Sequence, residues 1–351
     1  MKSKSPPSSS GKALPRALLL TFLVLFSLLS LFLAYALLVY DEVPVDPGWA
    51  IEASEQIPPG AVTVRFSGTA TLLFSDGETQ WMTDGWFSRP GPLRMLLGKI
   101  GPDIGAIEQG LADNEVTSLA AVLPLHSHYD HAMDAPEVAR RTGAMLLGSE
   151  STANIGRGWG LPESQIQVLS NRQSVRLGQF VITPIESQHF QFPDPAIRER
   201  ALAEPEISAP LVPPVRVFDY RLGKAYVLHV SHPKGSWLIV GSAGYIEGAL
   251  QDFTADTVFL GVGGLGSQTA DYMENFWRDT VATVMPSRVI PVHFDSLTGP
   301  LAGPFTGQVK LMALIADDRE STLSFLRSKA AANPDMRFST LPRFDEVVLF
   351  E

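Results

Sequence analysis

The run His126-Ser127-His128-Tyr129-Asp130-His131 puts three of the chain's seven histidines and one carboxylate within six residues. Side chains two apart on an extended segment point the same way, so His126 and His128 can grip one ion together. Asp130 and His131 then reach a second ion beside it. Imidazole and carboxylate donors suit zinc or a harder divalent ion, and two close ions can share a water. The chain has no cysteine, which excludes disulfides, thiol nucleophiles and thiolate metal sites. A polar surface loop with chance histidines is the alternative reading. The run's position after an apolar strand ending at Pro124 argues against it.

The other histidines are 189, 229, 232 and 293. Leu123-Pro124-Leu125-His126 and Ile290-Pro291-Val292-His293 are both strand ends leading into Pro-x-His, a weak internal echo in which both copies carry a ligand-type residue. His229 lies on a strand of alternating character and reads as structural. His232 sits near a turn and is a candidate substrate contact. Tyr129 is a candidate donor to a developing oxyanion, with simple packing as the alternative. The Gly261-Val262-Gly263-Gly264-Leu265-Gly266 run looks superficially like a dinucleotide loop. Beside a metal cluster it reads as a tight turn.

The pattern His-x-His-x-Asp-His resembles the signature of the metallo-β-lactamase superfamily, over most of residues 60–300. Ser67-Gly68-Thr69-Ala70-Thr71 and Thr83-Asp84-Gly85-Trp86-Phe87-Ser88 look like the opening strands of one branch. That branch contains ascorbate-6-phosphate lactonase and N-acylphosphatidylethanolamine phospholipase D. The resemblance implies an α/β fold, a four-layer αββα sandwich. It implies that His189 completes a first metal site with His126 and His128. It also implies that His293 completes a second with Asp130 and His131. Asp84 matches an acidic position that supports a ligand from behind, where such a partner fixes a histidine's tautomer. Ser242 stands where most hydrolases of the superfamily carry an Asp bridging both ions. Some β-lactamases of the superfamily also carry Ser there and still hold two zincs. The implied cofactor is therefore Zn²⁺ or another divalent ion, one or two per chain, the second held more loosely.

The implied reaction is hydrolysis of an ester, lactone or phosphodiester by a metal-bound hydroxide. Asp130 would accept or relay a proton, and the irregular, proline-rich segment 190–214 would cover the site. Two other readings stay open. One is a catalytically weak metal-binding or scaffold module of an envelope complex. The other is an amide hydrolase of the β-lactamase kind. A small-molecule or lipid-derived substrate is the expected partner. A formal net charge of −10 with no basic stripe speaks against nucleic acid. The sequence carries no signal of oligomeric state.

These residues need positioning elements and an address. Residues 17–39 carry no charge, and as a helix they are about 35 Å long, enough to cross a bilayer core. Lys2, Lys4, Lys12 and Arg16 precede the run, and Asp41 and Glu42 follow it. The positive-inside rule then keeps the N-terminus cytoplasmic and exports the rest. A cleaved signal peptide ending near Ala34-Tyr35-Ala36 is the rival, but the apolar run is longer than an ordinary signal core. The expected organisation is a cytoplasmic basic tail (1–16), a transmembrane anchor (17–40), a linker (41–60) and a hydrolase domain (61–351). Within the domain, patterning predicts strands at 62–66, 71–74, 79–83, 118–123, 144–147, 179–183, 215–220, 225–230, 237–240, 258–262, 288–292 and 346–350. Helices are expected at 135–141, 268–284 and 316–332.

Overall fold

A computed structural model describes residues 16–311 and 319–351. Most of the basic tail and the start of the helix expected at 316–332 lie outside the described residues. Two seven-stranded mixed sheets face each other. The first has the order β14 (Val347–Phe350), β1 (Val62–Gly68), β2 (Thr71–Ser75), β3 (Gln80–Thr83), β4 (Ala121–Leu123), β5 (Met145–Gly148), β6 (Ile166–Val168). The second has the order β13 (Arg337–Phe338), β12 (Arg288–Val292), β11 (Thr257–Gly261), β10 (Gly235–Val240), β9 (Ala225–His232), β8 (Phe180–Ser187), β7 (Val175–Leu177). In each sheet one half is an antiparallel meander and the other is parallel. The interior parallel strands β4 and β11 are covered on both faces; all three residues of β4 and all five of β11 are buried.

Phe74, Trp81, Phe180, Trp237 and Phe259 fill the space between the sheets. Helices α3 (Ile104–Asp113) and α5 (Ala135–Thr142) cover the outer face of the first sheet through Ile107, Leu111, Val138 and Ala139. Helices α8 (Ala270–Trp277) and α9 (Arg319–Ala332) cover the second through Phe276, Trp277, Phe325 and Leu326. The result is the expected αββα sandwich. The remaining helices are α1 (Arg16–Leu38), α2 (Pro92–Leu97), α4 (Tyr129–Ala132), α6 (Glu150–Trp159) and α7 (Pro195–Leu202).

Several expectations need correction. Residues 215–220 are not a strand: Val215 makes one bridge to Ile100, and Val217–Asp219 is a 3₁₀ turn. The helix expected over 268–284 is α8 followed by a π-helical turn, Arg278–Ala282. The segment 190–214 is not wholly irregular, since it contains α7, started by Asp194, whose carboxylate accepts from Ile197 N. Patterning does not predict helices α3 and α6.

Helix α1 has 23 residues and a mean hydropathy of 2.7, long and apolar enough to cross a membrane, as an anchor or a signal sequence must be. Beyond it, residues 40–54 run along the domain. Tyr40 bridges to Val309, Ala50 bridges to Thr340, and Ser54 N donates to Glu346 O.

Candidate metal centre

β4 and β12 are interior strands, one in each sheet, and both end in Pro-x-His. Their carboxyl ends meet at the same end of the sandwich, where α/β sheets commonly place ligands. After β4 the chain bends through residues 125–128, and His128 starts α4, so Asp130 and His131 fall in the first turn of a helix. The loop is pinned from behind: Ser127 N donates to Leu222 O, and its hydroxyl packs with those of Ser149 and Thr152. His189 arrives two residues after β8, and His293 directly after β12.

Two groups of ligand atoms result. His126, His128 and His189 form one, and Asp130, His131 and His293 the other; within each, the donor atoms lie within 4.8 Å of one another. In the first, His126 Nε2 and His128 Nδ1 are 3.2 Å apart. In the second, His293 Nε2 is 3.2 Å from His131 Nε2 and 3.3 Å from Asp130 Oδ2. The rings of His126 and His131, 3.8 Å between centroids, join the two groups.

Hydrogen bonds outside the groups decide which nitrogens face inward as lone pairs. His128 Nε2 faces Ala201 O at 3.4 Å, and His189 Nδ1 faces Phe190 O at 2.9 Å. His131 Nδ1 faces Asp84 Oδ2 at 2.7 Å. In each case the outer nitrogen must carry the proton, because its partner only accepts. The inner nitrogen is then bare. Bare nitrogens that converge at this spacing repel one another unless a cation lies between them, so this donor set fits a metal ion. Burial, reinforced by the neighbouring histidines, holds His126 and His189 well below the usual imidazole range and brings His128 down to about 4. All three imidazoles are neutral at pH 7. Burial opposes ionisation of Asp130, yet His131 and His293 outweigh it and hold its carboxyl below the usual range.

Asp84 stands directly behind the second group. Its Oδ1 accepts from Leu125 N at 2.9 Å while Oδ2 accepts from His131 Nδ1, so one carboxylate fixes both the loop and the ring. Burial raises its pKa against the pull of His131. Asp84, Thr69 and His293 all have positive φ, near 54°, 53° and 57°. Such strained non-glycine backbone, clustered at one place, is held by its surroundings. His293 N donates to Thr69 O, and Thr69 N donates to Asp295 Oδ1.

Arg89 and Asp295 belong to this support, and sequence reasoning misses both. Arg89 Nη1 donates to Thr69 Oγ1 and Ser296 O, lies 3.3 Å from Asp295 Oδ2, and its guanidinium stacks 4.2 Å over Trp86. Gly263 reads in the sequence only as part of a turn. A Cβ there would lie 2.6 Å from His293 Nδ1, so glycine lets the ring in. The available signals are proximity alone: Arg89 follows the quoted Ser88 motif, and Asp295 lies two residues after His293.

Ser242 lies beside His189's neighbour, its hydroxyl accepting from Phe190 N at 3.3 Å. Tyr129 is buried edge-on against Trp86, and burial pushes its phenol well above the usual range. Phe190 and Phe192 pack on His189, and Ala201 of α7 meets His128, so the 190–214 segment lies over the first group. A cavity of 280 Å³ opens beside it, lined by Ser187, Gln188, His189, Leu202 and Lys224 among others.

Two histidines are not brought to this centre. His232 is at the far end of β9 from Ala225, which pairs with Ser187 near the site. Seven residues of strand make that roughly 23 Å. There His232 faces Asp76 at 3.4 Å and packs on Phe180, so the expected substrate contact is corrected to a contact between the sheets. His229 packs on Phe253 with its Nε2 facing Thr254 O.

No family model matches the chain. A metal-dependent hydrolase of the group UPF0173 from Pyrobaculum islandicum is 26% identical over 119 residues, 34% of this chain and 46% of the relative. The match thus spans about half the length of that curated relative. Among solved structures, the metallo hydrolase Igni18 from Ignicoccus hospitalis aligns with a TM-score of 0.50 at 13% identity, covering 82% of this chain and 97% of its own. The metallo-β-lactamase fold protein YhfI from Bacillus subtilis aligns at 0.43 and 12% identity, covering 82% of this chain and 99% of its own. With its two facing mixed sheets, outer helices and ligand-bearing loops at one end, the chain has the metallo-β-lactamase fold.

Proposed function

We propose that the chain is a membrane-anchored, extracytoplasmic, metal-dependent hydrolase that cleaves an ester, lactone or phosphodiester bond in a small-molecule or lipid-derived substrate. The observation that carries this is the adjacency of two three-ligand groups in which outer hydrogen bonds turn bare nitrogens inward. His126, His128 and His189 would hold one ion, and Asp130, His131 and His293 a second. Zinc suits these donors, and such an ion supplies Lewis acidity and lowers the pKa of a water at neutral pH.

The chain's own residues do the rest. Asp130, kept ionised by the imidazoles around it, takes up or relays the proton released by the attacking water. Asp84 keeps His131 in one orientation while charge moves. Phe190 and Phe192 keep bulk water from the His189 side. The cavity against His189 gives the substrate room beside the first group. The lactonase and phosphodiesterase branch is supported by the way its two opening motifs are used here. Thr69 holds the backbone of His293, and Asp84 holds the ring of His131. The acidic residues after α1 and the basic ones before it support export of the domain.

The test uses the full chain purified in detergent. Metal content is measured, then ester, lactone, phosphodiester and β-lactam probes are screened before and after exhaustive chelation. Activity on one of the first three, lost on chelation and restored by zinc, is expected. His128→Ala should abolish it while leaving the circular dichroism spectrum unchanged. Full activity after chelation refutes the metal reading, and β-lactam turnover alone refutes the branch.

A further inference from the structure

Helix α2 presents Leu93, Leu96 and Leu97 to solvent, at 56%, 52% and 85% exposure, with Val212 at 66% and Phe218 at 40% nearby. The neighbours are brought together by the bridge between Ile100, just after α2, and Val215. Exposed apolar side chains gathered on one short helix need a partner. The inner side of α2 is committed to the domain: Met95 packs on the cluster of Trp86, Tyr129, Ala132 and Tyr220, directly behind the ligand loop.

The exit of α1 lies next to the same region, with no slack between helix and domain. Ala36, in the last turn of α1, is buried, Lys310 N donates to Val39 O, and Tyr40 bridges to Val309. Tyr40 Oη donates to Thr298 O. The preceding residue, Leu297, packs on the same cluster as Met95. Contacts therefore run from the exit of α1 to 297–298, and from there through the cluster behind the candidate ligand loop to α2.

We propose that α2 is a second membrane contact, which lays its leucines into the bilayer surface that α1 crosses and holds the end of the sandwich that carries the metal centre close to the lipid. The occupant is a lipid interface. Leucines flanked by the exposed cations Arg94 and Lys99 are the composition that sits at the boundary of headgroups and acyl chains, with the cations among anionic headgroups. The inference rests on reading α1 as a retained anchor, and it deepens the proposed function: substrates reaching the site from this side are lipid-borne.

Because the chain has no cysteine, single cysteines report position directly. Full-length Leu97→Cys, labelled with an environment-sensitive fluorophore, is reconstituted into vesicles of phosphatidylcholine and phosphatidylglycerol brominated near the top of the acyl chains. Val24→Cys in α1 reports anchoring. Glu78→Cys, in the exposed turn at the opposite end of the sheets, reports the aqueous side. Residue 97 is mostly solvent-exposed, so its replacement leaves the fold intact. The expected result is a blue shift and emission falling by about half at 97, the depth of an interfacial helix, with none at 78. An unquenched label at 97 overturns the proposal, and energy transfer between labels at 97 on separate copies would instead assign the face to a second copy. Quenching at 97 with an unquenched label at 24 keeps the α2 contact and refutes the anchor. An unquenched 97 beside a quenched 24 does the reverse.

Discussion

At Asp84 both carboxylate oxygens are spoken for, one by Leu125 N and the other by His131 Nδ1. In Asp84→Asn an amide NH₂ facing His131 would drive its proton to Nε2, which points into the second group. Loss of such a supporting partner costs about 10–100-fold in metal affinity. We expect the second ion to weaken by that factor and the first to stay unchanged, read by competition titration against a chromophoric chelator. Equal losses at both sites would remove Asp84 from its assigned place. Ser242→Asp should act in the opposite sense, supplying a carboxylate where the chain has a neutral hydroxyl; an unchanged second affinity would show that position 242 does not face the ions. The run His126 to His131 is legible in the sequence because its candidate ligands are closely spaced, whereas His189 and His293 enter only through the resemblance. Among the groups behind them, Asp84 is anticipated in the same way and the others are not. Thr69 and Asp295 meet across the fold, and Gly263 matters only because the His293 ring occupies the volume of its missing Cβ.

At the level of elements, α5 shows how a loop bearing ligands is anchored. Glu137 is buried, and its oxygens accept from Arg140, Arg141 and Trp159 Nε1, which ties α5 to α6. Burial alone would raise its pKa, but these three donors outweigh it and bring the carboxyl down to about 2. Its contribution is therefore full above the unfolded value of about 4.5 and lost as the pH falls through about 2. Glu137→Gln should cost about 2–3 kcal/mol at neutral pH, the scale of a charged hydrogen-bond set. In urea denaturation the deficit should shrink at acid pH; a deficit independent of pH would mean that the charge is not what counts. The interior strands are legible from their apolar runs, whereas the short edge strands β6, β7 and β13, which carry exposed residues, are not, and neither are α3 and α6. Their glycines lower helix propensity, yet one in each helix is needed for a close approach: Gly110 of α3 lies against the Phe87 ring and Gly156 of α6 against Leu146. The π-helical turn after α8 hides for a different reason, since it continues the same apolar stripe with one altered hydrogen-bond step.

Over the whole molecule, neither ligand group belongs to one sheet. His126 and His128 follow β4 of the first sheet and His189 follows β8 of the second; Asp130 and His131 follow β4, and His293 follows β12. Each ion would therefore fasten the two halves of the sandwich at the end where these strands stop. A ligand that binds only the folded chain stabilises it by about 2.7 kcal/mol per site at a hundredfold excess over Kd. For a domain the size of residues 61–351, with an unfolding entropy near 2.1 cal/mol/K per residue, that is a rise in Tm of about 4 °C for one ion. Chelated protein titrated with zinc should climb by roughly this amount for the first ion and again for the second at higher concentration. The second, later step is what a neutral hydroxyl at Ser242 predicts, and Asp84→Asn should push it later still. A single step of twice the size would mean that the two ions enter together and that the second site is as tight as the first.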